Sequence, residues 1–92
     1  MSEAERLSDT IGQVVVIDTD TNHLHVGTLA SADAWFYELT DADVHDGTET
    51  TTTRDVYIIN VRKYGIKKNR DRVLIRRDRV VSLSLLSDVT EY

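Results

Sequence analysis

Short apolar segments with strand-like alternation predict a chain built mainly of β-strands. Residues 13–19 form a β-branched run of strand length, and residues 20–22 supply turn residues before a second alternating segment at 23–29. Together these segments predict a β-hairpin. Gly27 lies inside the second strand, which indicates a sharp bend or a close approach of two backbones.

Three further strands and an N-terminal helix complete this pattern. Residues 35–42 alternate so that Trp35, Tyr37 and Leu39 share one face of a third strand. Residues 72–75 and 80–86 predict two more strands on either side of a charged turn. Residues 4–11 favour a short helix that stops at Gly12.

The segment between the third and fourth strands is less regular. Residues 45–53 are polar and rich in threonine, which predicts a loop. Residues 54–64 carry β-branched side chains that favour a strand, but their apolar positions also repeat at helical spacing. Thr53 as a cap and Gly65 as a terminator favour the helix. We therefore expect one domain over residues 1–92, with an insertion at about 45–68 that contains a helix.

Length and composition limit how such a domain can be stabilised. A chain of 92 residues buries a modest share of its surface, and the absence of cysteine excludes disulfides and thiolate metal sites. The absence of proline leaves edge strands without a common form of protection. We therefore expect oligomer contacts. No apolar run approaches the roughly 20 residues of a membrane span, and the N-terminus lacks signal-peptide features, which predicts a soluble, cytoplasmic protein.

Charge is distributed unevenly along the chain. Residues 1–61 carry two bases and twelve acids, whereas residues 62–79 carry nine bases and two acids, a net of +7 within a chain of net −5. Such a segment can form a local anion-binding surface on an acidic protein. The same bases could instead neutralise the acidic segment within the fold or across a subunit contact.

Residues suited to catalysis or metal binding are few. His23 and His25 point to one strand face and could approach a metal, although two exposed hairpin histidines are the simpler interpretation. His45 and the neighbouring carboxylates read as a solvated acidic loop. There is no glycine-rich phosphate loop and no nucleophile motif beside a histidine. We therefore expect no enzymatic activity, no cofactor and no metal site.

Two motifs in this order resemble the Sm and Sm-like (LSm) family. The first is Val-Gly-Thr-Leu at residues 26–29, followed by Asp33 and an aromatic strand. The second, at residues 75–81, looks like the family's aliphatic, Arg-Gly-Asp or Arg-Gly-Asn, aliphatic signature. It is similar to the archaeal and eukaryotic form rather than to the Tyr-Lys-His signature of the bacterial RNA chaperones. The resemblance covers residues 11–86 apart from the insertion.

This resemblance implies both a fold and a function. The fold is a strongly bent, five-stranded antiparallel barrel of SH3 type preceded by a helix, with about five to eight copies pairing edge to edge in a ring. In the family, RNA bases lie between an aromatic or histidine before the third strand and the arginine of the second motif, with aspartates supporting that geometry. The corresponding RNA-binding residues here are Asp33, Trp35, Tyr37, Arg76, Arg77 and Asp78.

Two departures from the family pattern bear on RNA binding. Arg77 replaces the glycine of the second motif, where a glycine accommodates backbone angles that strain other residues. The asparagine that reads the base is also missing. Counting from Asp33 without a gap makes Trp35 the stacking residue and places Tyr37 at the asparagine position. Strand alternation instead favours a one-residue deletion, which places Trp35, Tyr37 and Leu39 in the core and Phe36 at that position.

Three functional hypotheses follow. The first is a ring that binds single-stranded RNA without chemistry, and the second is a structural or protein-binding ring that has lost RNA binding. The third is a monomeric SH3-like barrel that binds protein, because such barrels share this strand order.

Overall fold

The computed structural model of the chain describes residues 3–48 and 52–90. Helix α1 (Glu3–Thr10) precedes three strands, β1 (Val14–Thr19), β2 (His23–Ala32) and β3 (Phe36–Asp46). Helix α2 (Arg54–Tyr64) follows, and then strands β4 (Arg70–Arg76) and β5 (Val80–Leu85). Short 3-10 turns lie at Arg77–Arg79 and Leu86–Asp88. This element order confirms the predicted one.

The five strands form one antiparallel sheet in the order β4-β3-β2-β1-β5. Val73 and Ile75 of β4 pack on the same apolar cluster as Leu83 and Leu85 of β5, although these strands lie at opposite edges of the sheet. Because both edges reach one core, the sheet is strongly bent around it. The cluster at the centre consists of Val15, Ile17, Leu29, Leu39, Ala42 and Ile75.

The pairing of β2 with β3 is irregular at Gly27, where the two backbones approach closely. The pairing shifts between Val26 and Thr28, and Asp41 opposite adopts a left-handed φ of 49°. A Cβ added to Gly27 would lie 2.9 Å from the Cβ of Ala42. The close backbone approach predicted for Gly27 is therefore confirmed, and only glycine fits it without displacing a neighbour.

Helix α2 covers the other face of the sheet. Its buried Val61 joins a second cluster with Val16, Leu24 and Val26, so β2 is buried on both faces. The Thr53 hydroxyl accepts a hydrogen bond from the Val56 N–H at 3.3 Å. At the other end, Gly65 has a φ of 90° and donates its N–H to the Val61 carbonyl. The cap and terminator that favoured a helix at 54–64 are both present.

Several predicted boundaries and one burial prediction are wrong. Strand β3 runs to Asp46 rather than residue 42, because its second half pairs with the start of β2. Strand β4 begins at Arg70 rather than residue 72, because Ala42 pairs with Arg70. His25 is buried, because α2 and the bent sheet enclose β2 from both sides; it is not an exposed hairpin histidine. The parts of the predicted loop at residues 49–51 lie outside the described residues.

Neither helix described here has the length and apolar character required to cross a bilayer.

Candidate nucleic-acid interface

The loop between β2 and β3 is organised by Asp33. Its Oδ1 accepts hydrogen bonds from the Trp35 N–H at 2.7 Å and from the Phe36 N–H at 2.8 Å. These two donors are the main reason that the pKa of the Asp33 carboxyl lies below its usual value. The loop is thereby fixed with the Trp35 side chain directed into solvent, where it is 75% exposed. The interpretation that placed Trp35 in the core is wrong.

The charged turn between β4 and β5 packs against this loop. The Arg77 N–H donates to the Trp35 carbonyl at 2.9 Å, which joins the two loops through the backbone. Arg77–Arg79 forms a 3-10 turn, and Asp41 is the only non-glycine residue with a positive φ among residues 3–48 and 52–90. Arg77 therefore occupies the glycine position of the motif without left-handed strain, because the turn has a different conformation.

Asp78 holds Arg76 in a defined position. An Arg76 Nη2 hydrogen donates to Asp78 Oδ2 at 2.7 Å, and both side chains remain about two-thirds exposed. A carboxylate–guanidinium pair of this kind is charge-assisted and directs the flat face of the guanidinium. The remaining guanidinium N–H groups are available to an incoming acceptor.

These loops enclose a cavity of about 350 Å³ lined by Ala34, Trp35, Phe36, Arg76 and Asp78. We call this cavity the Trp35–Arg76 cleft. It combines an exposed indole, a second aromatic side chain and a guanidinium, the side chains on which unpaired bases stack. Phe36, which one register of the family pattern placed at the asparagine position, contributes to the lining, and its side chain is 38% exposed.

Tyr37 and Arg77 lie outside the Trp35–Arg76 cleft. The Arg77 guanidinium lies 4.9 Å from the centre of the Tyr37 ring and donates to the Asp33 carbonyl at 2.5 Å. Tyr37 is half-buried and packs against the main core. Of the six predicted residues, the structure brings Trp35, Arg76 and Asp78 into one cleft, places Asp33 behind it, and uses Tyr37 and Arg77 to brace the loops.

The basic segment divides into paired and unpaired side chains. Lys68, Arg72 and Arg79 form ion pairs with carboxylates of the acidic N-terminal segment. Within the described ranges, no ion pair or carboxylate hydrogen bond involves four other bases, namely Arg62, Lys63, Lys67 and Arg70. Neutralisation within the fold therefore accounts for only part of the +7 segment.

The histidines and acidic residues serve the interior and the surface of the fold. Burial, with a smaller effect of His23, lowers the pKa of His25 to about 4. His23 Nε2 lies 3.6 Å from Asp46 Oδ2. Asp43 accepts hydrogen bonds from the Tyr57 hydroxyl at 2.6 Å and from the Asn69 amide at 2.8 Å. No group of three histidines or carboxylates in residues 3–48 and 52–90 is arranged to hold a metal ion.

Solved structures share the fold of this chain at low sequence identity. An Sm protein of Pyrococcus abyssii, solved in complex with a uridine heptamer, matches with a TM-score of 0.63 and 16% identity over 92% of this chain and 99% of that one. An Sm-like protein of Archaeoglobus fulgidus matches with a TM-score of 0.62 and 15% identity over 92% of this chain and 95% of that one. A chain of the NatC complex bound to CoA matches with a TM-score of 0.58 and 19% sequence identity. That match covers 91% of this chain and 94% of that one.

The chain therefore has an Sm-like fold, as its two motifs indicated. No protein-family model matches the sequence, and no curated protein matches it either.

Proposed function

We propose that this protein binds single-stranded RNA, without catalysing a reaction, in the cleft between Trp35 and Arg76. The observation that carries the proposal is the exposed Trp35 ring, held by Asp33 beside a guanidinium that Asp78 orients. The fold adds support, since an Sm protein that shares it was solved with a uridine heptamer.

The cleft suits a base more than it suits a phosphate alone. A base stacked on Trp35 would offer its polar edge to the free N–H groups of Arg76, and Phe36 would border its other side. Aromatic stacking contributes about 1 to 3 kcal/mol per base and tolerates different sequences. Since the asparagine of the family pattern is absent, we expect weak discrimination between bases.

The proposal includes assembly through the sheet edges. Among the described residues, β4 and β5 each pair with one neighbour only, which leaves one side of each strand's backbone unpaired. Leu74 on β4 and Val81 on β5 are large apolar side chains that are 49% and 68% exposed. Antiparallel pairing of β4 with β5 of the next copy would satisfy both edges and repeat the cleft around a ring.

The test is a binding titration with labelled oligo-U and oligo-A. We expect salt-sensitive binding that weakens by about 5- to 150-fold in Trp35→Ala and Arg76→Ala, the range that corresponds to loss of one stacking contact. Val56→Ala, which removes an exposed apolar side chain far along the chain on α2, is the matched control. Unchanged affinity in both cleft variants would contradict the proposal.

A second candidate is a protein-binding or structural role without RNA. Its support is that Arg77, the residue in place of the motif glycine, is engaged with Tyr37 and Asp33, while apolar side chains remain exposed on both edge strands. If docking between basic and acidic surfaces held such an assembly together, high salt would dissociate it.

A further inference from the structure

Tyr64 is a large aromatic side chain with no place in the fold's core. It ends helix α2 and is 80% exposed, whereas Tyr57 and Val61 on the same helix pack against the sheet. The chain turns at once after Tyr64, because Gly65 adopts a left-handed φ of 90°. The ring therefore stands at the corner where α2 leads into the basic residues before β4.

A second cavity opens beside this ring. It measures about 340 Å³, and its lining includes Tyr64, Asn60, Lys67 and Asp43. The Asp43 carboxylate already accepts hydrogen bonds from Tyr57 and Asn69, whereas Asn60 is exposed and has a donor and an acceptor to offer. The cavity is large enough for a nucleobase, and it presents an aromatic face with an amide beside it.

Two exposed lysines lie at the cavity, whose lining contains one carboxylate, that of Asp43. Lys63 directly precedes Tyr64, and Lys67 follows it by three residues. Both lysines are exposed, and neither forms an ion pair with an acidic residue in the parts of the chain that the structure describes. Basic side chains without ion-pair partners beside an exposed aromatic ring favour the binding of a polyanion that carries aromatic groups.

A row of side chains on β4 leads from this corner toward the Trp35–Arg76 cleft. Val73 and Ile75 point into the core, so the alternate positions Arg70, Arg72 and Arg76 point to the other face of the strand. The register pairs Arg70 with Ala42 and Arg76 with Phe36, so the two cavities lie at opposite ends of the β3–β4 pair. Six residues of extended chain separate these ends by roughly 20 Å.

From these observations we infer that the surface formed by Asn60, Lys63, Tyr64 and Lys67 is a second binding site for single-stranded nucleic acid. One base stacks on Tyr64 beside Asn60, and the two lysines contact phosphates. Arg70 provides a phosphate contact on the path to the Trp35–Arg76 cleft. The site lies on the α2 segment and does not depend on base binding at Trp35.

The experiment measures binding of fluorescently labelled oligonucleotides of about 4 and about 12 nucleotides to the full chain at several salt concentrations. Tyr64→Ala should weaken binding of the longer strand by about 5- to 150-fold. Lys63→Gln and Lys67→Gln should each make the slope of log affinity against log salt concentration shallower, by the amount expected for the loss of about one phosphate contact. Tyr64→Phe keeps the stacking face and should bind as the unchanged protein does. Circular dichroism of each variant checks that α2 is intact.

A crosslinking arm locates the contact directly. Oligonucleotides with 5-iodouracil, irradiated in complex with the protein and mapped by mass spectrometry, should attach to Tyr64 as well as to Trp35. Crosslinks at Trp35 alone, together with unchanged affinity in Tyr64→Ala, would overturn the second site and leave the proposed function standing.

The reverse result separates the two proposals. Loss of affinity in Tyr64→Ala, with none in Trp35→Ala, would support the α2 site and contradict the proposed function. If an acidic peptide occupied the Tyr64 surface in the same assay while no oligonucleotide did, the surface would be a protein-docking site, and our inference would be wrong.

Discussion

Asp33 shows how one residue determines the geometry of the cleft without entering it. Its carboxylate accepts hydrogen bonds from the backbone N–H groups of Trp35 and Phe36, and this fixes the direction in which the Trp35 side chain points. An amide oxygen at the same position can accept the same two hydrogen bonds without the negative charge.

Two substitutions of Asp33 test this role. Asp33→Ala removes the acceptor, and we expect oligonucleotide affinity to fall about tenfold or more because Trp35 is no longer held for stacking. Asp33→Asn keeps an acceptor oxygen and should retain most of the affinity. Oligonucleotide titrations of both variants measure these affinities. Equal losses of affinity in the two variants would show that the charge of Asp33, rather than the loop geometry, is responsible.

His25 links folding stability to pH. Its pKa is lowered from 6.5 to about 4, so the unfolded chain takes up this proton at a higher pH than the native protein does. Native stability contributed by the neutral, buried ring is therefore lost as pH falls from about 6.5 toward 4 and changes little above or below that window. Its Nδ1 has no hydrogen-bond partner among the described residues, so burial of the charged ring would be uncompensated.

We expect the free energy of unfolding to fall by about 1 to 2 kcal/mol between pH 7 and pH 5 because of His25 alone. Urea denaturation of the protein and of His25→Leu at the two pH values measures this contribution, since the two proteins differ only in this side chain. The fall should be smaller in the variant. An equal fall in both would rule out His25 as its source.

At the scale of elements, α2 is attached to the sheet by polar contacts as well as by its apolar face. The Tyr57 hydroxyl donates to Asp43, and the His45 ring stacks on the Tyr57 ring with centres 4.1 Å apart. Asn69 binds both the Asp43 carboxylate and the Val44 backbone just before β4 begins. One carboxylate on β3 thus binds both the first half of α2 and the residue just before β4.

A pair of tyrosine variants measures this attachment. Tyr57→Phe removes a hydrogen bond to a carboxylate from a partly buried site, and the free energy of unfolding should fall by about 1 to 3 kcal/mol. Tyr64→Phe makes the same chemical change on the same helix where the ring is exposed, and it should have almost no effect. Chemical denaturation of both proteins is the measurement, and equal stabilities would contradict the proposed contact.

Prediction from sequence succeeded where local chemistry determines local structure. Thr53 and Gly65 identified α2 despite its β-branched residues, and Gly27 marked the bend. It failed where pairing partners decide the outcome. The second half of β3 is polar and resembles a loop in sequence, but it is a strand because the start of β2 pairs with it.

The same limit applies to the cleft. Alternation placed Trp35 with Tyr37 and Leu39 on a core-facing side, but Trp35 precedes the strand, in a turn whose direction Asp33 sets. The sequence did not indicate the 3-10 conformation at Arg77 either, because the family pattern has a glycine turn at this position. The motif therefore indicated neighbouring loops without revealing which of their side chains meet.

At the scale of the whole molecule, the unpaired edges of β4 and β5 predict self-association. Light scattering should give a mass that is a multiple of the 10.5 kDa chain, and high salt should leave it unchanged because backbone pairing and apolar contacts are only weakly screened. Leu74→Lys should shift the protein toward monomer, whereas Val56→Lys on α2 should not. A monomer at micromolar concentration would contradict the ring and favour the SH3-like scaffold.

The most direct measurement uses the tryptophan itself. Trp35 is the only tryptophan in the chain, and its side chain is exposed, so its fluorescence reports on the Trp35–Arg76 cleft alone. Titration with an unlabelled oligonucleotide should quench this fluorescence to saturation, with an affinity that weakens as salt increases and is reduced in Arg76→Ala. Fluorescence that does not respond, at nucleotide concentrations where other assays detect binding, would show that RNA does not stack in this cleft.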